Sequence, residues 1–297
     1  MMIIRVAVLV LGIAGPAIGQ ELIEGKTYKG LAGVAIELEG RQHVTIRRCY
    51  FTDVGVAIRL KKCHHITVDS CVMADLAIQG IDIRDGCSDI RIVNNHLKGF
   101  RSDVQGGHFI STEKTATPRQ FRITIAGNTL LGNGKSWVKG RKNGAAGDMI
   151  ALRSVSGFTM SGNELSGGGE FGMDCVYGCE NGIIAHNSIH QIDGTGLLIG
   201  YGVKNVNVYG NNIVDCGCSF ENDGSANDIT HQAGIHCRNG VENVLITSNL
   251  ICRQKAEEMR YGIHLRETTG VIKANLISGT DETIHIPRAL AGTVGIE

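Results

Sequence analysis

The chain has three prolines and one tryptophan in 297 residues, and its 29 basic residues are matched by 29 acidic ones. Balanced charge argues against a nucleic-acid surface or an acidic tail. Scarce proline leaves paired strands uninterrupted, and 41 glycines supply the tight turns between them. Long apolar runs are also missing, except at residues 6–14. That run follows Arg5 and precedes Pro16 and the small-x-small pattern Ala17-Ile18-Gly19. It is too short to span a bilayer. It reads as a signal peptide, residues 1–19, which predicts a periplasmic or secreted protein without a membrane span after processing. An N-terminal cap helix and a retained anchor are the alternatives.

A repeat fills the rest. The phrase around Asn128 (ITIAGNTL) recurs at Asn95, Asn163, Asn187, Asn211, Asn249 and Asn275, with Cys49 and Cys71 in the same place in two earlier copies. The spacings are 22, 24, 33, 35, 24, 24, 38 and 26 residues. A basal period of 22 to 24 with occasional additions marks a repeat architecture. A second phrase, glycine then alternating apolar residues, precedes each copy. It begins at Gly33, Gly55, Gly80, Gly107, Met149, Gly172, Gly196, Gly234 and Gly262. Period-two alternation says strand. Two strands and a short extended piece per repeat make one turn of a β-solenoid, with turns stacked at about 4.8 Å.

The pattern resembles the right-handed parallel β-helix of the pectin-lyase-like superfamily, over roughly residues 30 to 290. The expected fold class is all-β, a single-stranded right-handed parallel β-helix of nine to ten turns forming one domain over 20–297, with 20–32 as its N-terminal cap. A leucine-rich repeat also carries Asn-x-Leu at a similar period. Preference for Ile and Val over Leu, and the lack of an amphipathic helix in each repeat, argue against it.

Cys49 and Cys71 share one column of adjacent turns, and Cys63 and Cys87 another. The stacking distance suits a disulfide, and stacked unbonded thiols fit equally. Cys216 and Cys218 lie in an insertion that also carries His231, so a zinc site is a further reading.

Alternation places positions three and five of the glycine phrase outward. Position five then holds Arg59, Arg84, Arg153, Arg238 and Arg266, and position three holds Asp174, His236 and His264. An exposed arginine row suits carboxylates or sulfates; the alternative is a solvated face whose arginines pair with Asp82, Asp85, Asp174 and Glu267. Insertions at 112–120, 131–148, 215–232 and 253–261 flank the same sheet and would wall a groove over it. The first of the larger two brings Trp137, Lys139 and Arg141, expected to bind substrate with Arg59, Arg84 and Arg153.

The resemblance implies β-elimination, uronate epimerisation or glycoside hydrolysis. The first two need a neutralised carboxylate and a base within reach. His236 or His264 would be the base, Arg238 and Arg266 would hold the carboxylate, and Tyr177 and Tyr201 would be acids. Asp174 with Asp223 or Asp228 would bind calcium. The expected partner is an acidic polysaccharide and the leading expectation a lyase. The Arg-x-Pro-x-x-Arg, Asp-Pro-His-Asp and Asn-Thr-Asp signatures of named subfamilies are absent, and a non-catalytic glycan-binding or assembly protein would show the same repeats.

Overall fold

The computed structural model describes residues 9–11, 20–101, 107–114, 120–133, 147–217, 232–254, 259–286 and 294–296. Every element among them is a strand, and every pairing is parallel. An eleven-stranded sheet runs from Glu21–Glu24 to Val294–Ile296 and forms one side of a coil. A nineteen-stranded sheet forms two more sides. One is the ladder of glycine-phrase strands, Gln79–Arg84, His108–Thr112, Ile150–Arg153, Met173–Val176, Leu197–Gly200, Ala233–Arg238, Tyr261–Leu265 and Glu282–His285. The other is the ladder of short strands that follow the asparagines. The long strands Thr27–Glu39 and Tyr50–Lys61 run through both and fuse them.

The repeat phrases have direct physical causes. Inward columns such as Ile81, Ile110, Ile150, Met173 and Leu197 stack in register and are wholly buried. Each asparagine side chain bridges turns: Asn163 Nδ2 donates to Asn187 Oδ1 at 3.0 Å and to Ile125 O at 2.9 Å, and Asn163 N–H donates to Asn187 Oδ1 at 3.0 Å. The same pattern runs from Asn95 to Asn275. It satisfies backbone groups at a corner that carries no β ladder. Glycine opens the other phrase because side chains from the next ladder press against it. A Cβ at Gly234 would lie 2.6 Å from Ile251 Cγ2, and one at Gly196 would lie 2.8 Å from Ile213 Cγ2.

Within the segment expected as a cap, Glu21–Glu24 pairs with Gln42–Arg47 as the end rung of its sheet. Leu9–Leu11, within the segment expected as a signal peptide, pairs with Ile36, Glu37 and Leu38.

The arginine row is also re-registered. Arg59 pairs with Asp82, Lys61 with Arg84, and Ser111 with both Asp82 and Ala151. The outward columns therefore read Glu37, Arg59, Asp82, Ser111, Ala151, Asp174, Leu198, His236, His264, and alongside it Glu39, Lys61, Arg84, Glu113, Arg153, Val176, Gly200, Arg238. A slip of two residues keeps every side chain on its own face, so alternation alone could not detect it. The described cysteines carry free thiols, including the in-register pairs Cys49/Cys71 and Cys63/Cys87. Cys218 and His231 lie outside the described residues.

Candidate functional site

The outer face of the glycine-phrase sheet holds a cavity of about 430 Å³, lined by Lys114, Asp148, Arg153, Glu170, Phe171, Asp174, Val176, Tyr177, Leu198, Tyr201 and Arg238. That volume falls within the range of ligand pockets, about 300–1,000 Å³. Four successive strands build it, Ile150–Arg153, Met173–Val176, Leu197–Gly200 and Ala233–Arg238. Phe171, Val176 and Leu198 form an apolar cluster separate from the coil's core.

Asp148 and Asp174 lie at its base, 5% and 4% exposed. Arg153 Nη2 donates to Asp148 Oδ2 at 3.0 Å. Oδ1 of each aspartate is buried without a hydrogen-bond partner among the described residues. Burial lifts Asp148 to about 6, against the pull of the Arg153 cation. Asp174 is pushed well above the usual carboxylate range, by burial first and then by the Asp148 charge, with Arg153 opposing. Burial thus favours the proton on Asp174 while Arg153 favours the carboxylate of Asp148, and environments that separate two carboxyl groups in this way can assign acid and base roles.

One wall is a four-part stack. Lys114 Nζ sits 3.7 Å from the Tyr177 ring centroid, Tyr177 and Tyr201 stack at 4.9 Å, and the Arg238 guanidinium lies 5.1 Å from the Tyr201 ring. The covered ring faces leave edges and hydroxyls for a ligand. Both tyrosines hold the left-handed backbone conformation, φ 55° and 59°, which is uncommon for bulky residues and tends to persist where packing enforces it. Stacking and cation–π contacts provide that enforcement.

The pocket thus gathers Arg153, Asp174, Tyr177, Tyr201 and Arg238 from the residues singled out in the sequence. Arg59 and Arg84 lie elsewhere: both guanidinium Nε atoms donate to Asp82 Oδ2, at 2.8 and 2.7 Å. Arg266 is exposed on the turn beyond Arg238. Trp137, Lys139, Arg141, Asp223 and Asp228 lie outside the described residues. Among the described residues, no group of three or more His, Cys, Asp or Glu side chains is arranged to hold a metal.

His236 and His264 are buried rather than solvent-facing, 2% and 5% exposed, with rings stacked at 4.4 Å. His285 meets His264 edge-on at 5.0 Å, and Tyr261 lies 5.0 Å from it. Neither His236 nor His264 lines the cavity. Burial, with help from His285 and Arg266, pulls His264 down to about 4. The folded chain then resists a proton that the unfolded chain accepts near 6.5. This contribution to stability is complete above about 6.5 and is lost as pH falls toward 4, by about 3 kcal/mol. His264→Leu is expected to narrow the gap between urea midpoints at pH 7 and pH 4.5, and an unchanged gap would count against this.

Asp148, Glu170 and Lys114 escaped the sequence reading because none occupies an outward position of the repeat phrase. The available signal was that Asp148 is the last polar residue before the chain re-enters the coil.

A family model for the right-handed beta helix region matches residues 17–145. The fold is a right-handed parallel β-helix. The similar solved β-helices include DFA-IIIase from Arthrobacter chlorophenolicus A6, in complex with GF2, at 13% identity and TM-score 0.63, covering 86% of this chain and 58% of that one. An alginate lyase from a Paenibacillus species matches at 13% identity and TM-score 0.55, over 94% and 80%. PfbA, a surface adhesin of Streptococcus pneumoniae, matches at 13% and 0.51, over 89% and 78%. No curated protein matches by sequence. At these identities the likeness is one of fold, and this β-helix spans little more than half the length of the first of them.

Proposed function

We propose that this β-helix is an exported carbohydrate-active enzyme that cleaves a glycosidic linkage in an anionic glycan. Asp174 acts as proton donor, and Asp148 as the carboxylate that activates water or attacks the sugar. The observation that carries the reading is the buried aspartate pair, with protonation states set apart and one oxygen of each left unpartnered among the described residues. Glycoside hydrolysis needs an acid and a carboxylate flanking the scissile bond. Anionic substrate is favoured by Lys114, whose ammonium rests on Tyr177 with no carboxylate partner among the described residues, and by Arg238 at the other end of the stack. Export is supported by residues 1–19, read as a signal peptide.

The second reading is β-elimination, favoured by the likeness to an alginate lyase. Asp148 would then take the proton beside a uronate carboxylate held by Lys114 and Arg238. One experiment separates the two. The mature protein is incubated with alginate, polygalacturonate, chondroitin sulfate and neutral inulin, and both reducing ends and ultraviolet absorbance are followed. Reducing ends without new absorbance support hydrolysis, and an unsaturated uronate chromophore supports elimination. Product from inulin alone would remove the anionic preference, and no product from any of the four would remove the enzyme reading in favour of a binder. On an anionic substrate, Arg238→Met is expected to raise KM about tenfold, while Arg59→Met and Arg84→Met leave KM within about twofold. Equal effects from all three would contradict the placement of the binding site.

A further inference from the structure

We infer that His108 is a positioning residue for Asp148: its ring nitrogen holds the Asp148 backbone and so places the carboxylate at the point where the chain re-enters the coil. The inference rests on the acid–base reading above. The parallel ladder between the strands His108–Thr112 and Ile150–Arg153 registers Ile110 with Ile150 and Ser111 with Ala151, and Ile110 N–H donates to Met149 O at 3.1 Å. One step earlier, Gly147 N–H donates to Gly107 O at 2.7 Å. Between these contacts His108 Nδ1 lies 3.1 Å from both backbone groups of Asp148: it accepts from the N–H in one tautomer and donates to the carbonyl oxygen in the other. Nδ1 also lies 3.6 Å from Asp148 Oδ2, the oxygen that Arg153 holds.

A neutral ring can make either contact, with the proton on Nε2 when Nδ1 accepts and on Nδ1 when it donates. Burial and the nearby Arg153 cation also disfavour a charge, and draw His108 down to about 4. A charged ring would hold Asp148 ionised and undo the elevation that suits it to work near neutral pH. A neutral ring fixes the backbone and leaves the carboxylate to Arg153 and its dry surroundings. Supporting groups of this kind commonly decide whether a reacting side chain sits in productive geometry.

The test uses the mature protein labelled with carbon-13 at aspartate carboxyl carbons. The Asp148 resonance is assigned by its loss in Asp148→Asn. His108→Phe keeps the bulk and removes the acceptor, and His108→Met serves if the phenylalanine variant does not fold. His108→Asn retains an acceptor oxygen at the same distance from the backbone. In the wild type Asp148 is expected to titrate near 6. Without the acceptor its midpoint should fall by about one pH unit or more as the carboxyl moves toward water, and His108→Asn should restore it. In the alginate and polygalacturonate assays the acceptor-less variant should lose kcat with KM unchanged. A wild-type Asp148 midpoint in His108→Phe, or an asparagine variant that behaves like phenylalanine, would overturn the inference. If Asp148→Asn and Asp174→Asn keep full turnover, the acid–base reading fails instead, and the titration still decides whether His108 positions Asp148.

Discussion

Asp174→Asn is expected to lower kcat by about 10²–10⁴-fold, with folding and substrate affinity retained. That range is typical of removing a positioned general acid. The side chain is 4% exposed, and it is kept protonated by burial and the Asp148 charge. Asparagine has the same shape and can still donate a hydrogen bond, so the pocket should stay intact while losing its transferable proton. Asp148→Asn should cost a similar factor through the loss of the ionised partner. The two variants should differ in their pH profiles. In the wild type the rate rises with pH through about 6, as Asp148 becomes a carboxylate, and falls at higher pH where Asp174 surrenders its proton. Asp148→Asn should erase the acid limb of whatever activity remains, and Asp174→Asn the alkaline limb. Steady-state kinetics from pH 4 to 10 on the glycan that responds in the panel is the measurement. Retention of full kcat in either variant would contradict the assigned roles. The two are expected to be non-additive, because the loss of either leaves the other without a complete reaction to assist.

The second large effect is on stability. Asn187→Leu is expected to destabilise the coil by about 3–6 kcal/mol, from four lost hydrogen bonds to buried groups at about 1–3 kcal/mol each, reduced because Asn163 Nδ2 and Asn211 Oδ1 each keep another partner. Asn187 Oδ1 accepts from both Asn163 N–H and Asn163 Nδ2, and its own Nδ2 donates to Met160 O at 3.0 Å and to Asn211 Oδ1 at 2.9 Å. Leucine matches the volume and satisfies none of these. Asn275→Leu, at the exposed end of the row, should cost much less, because water reaches the groups it leaves. Urea unfolding of the two variants against wild type measures the difference. Equal midpoints would mean that the amide row adds little beyond packing. The interruption also falls in the same turn as the Met173–Val176 strand that carries Asp174, so a locally loosened Asn187→Leu should lose activity at urea concentrations the wild type tolerates.

Much of the fold is legible in the sequence because each turn repeats the same physical problem. An apolar pair must point inward, a corner without a ladder needs an amide, and a glycine must stand where Ile213 or Ile251 presses on the backbone. These demands recur every 22 to 24 residues, and a period survives where single positions would not. The sheet that carries the cavity is legible too, since insertions flank it and Arg153, Asp174, Tyr177, Tyr201 and Arg238 fall on it.

Register and burial are what only the tertiary structure decided. A two-residue slip leaves alternation intact, so an apparent row of arginines becomes Arg59 and Arg84 clamped on Asp82, with Glu113 set between Arg84 and Arg153. Outward direction is not exposure: His236 and His264 point away from the core and are nonetheless covered, stacked on each other and on Tyr261 and His285. The pairing of Asp148 with Asp174 arises in the same way. Asp148 ends an insertion and Asp174 sits in the middle of a strand, 26 residues apart in the chain. Their raised and unequal proton affinities come from a shared dry pocket and one arginine, and sequence pattern carries no record of the dielectric in which a side chain will stand.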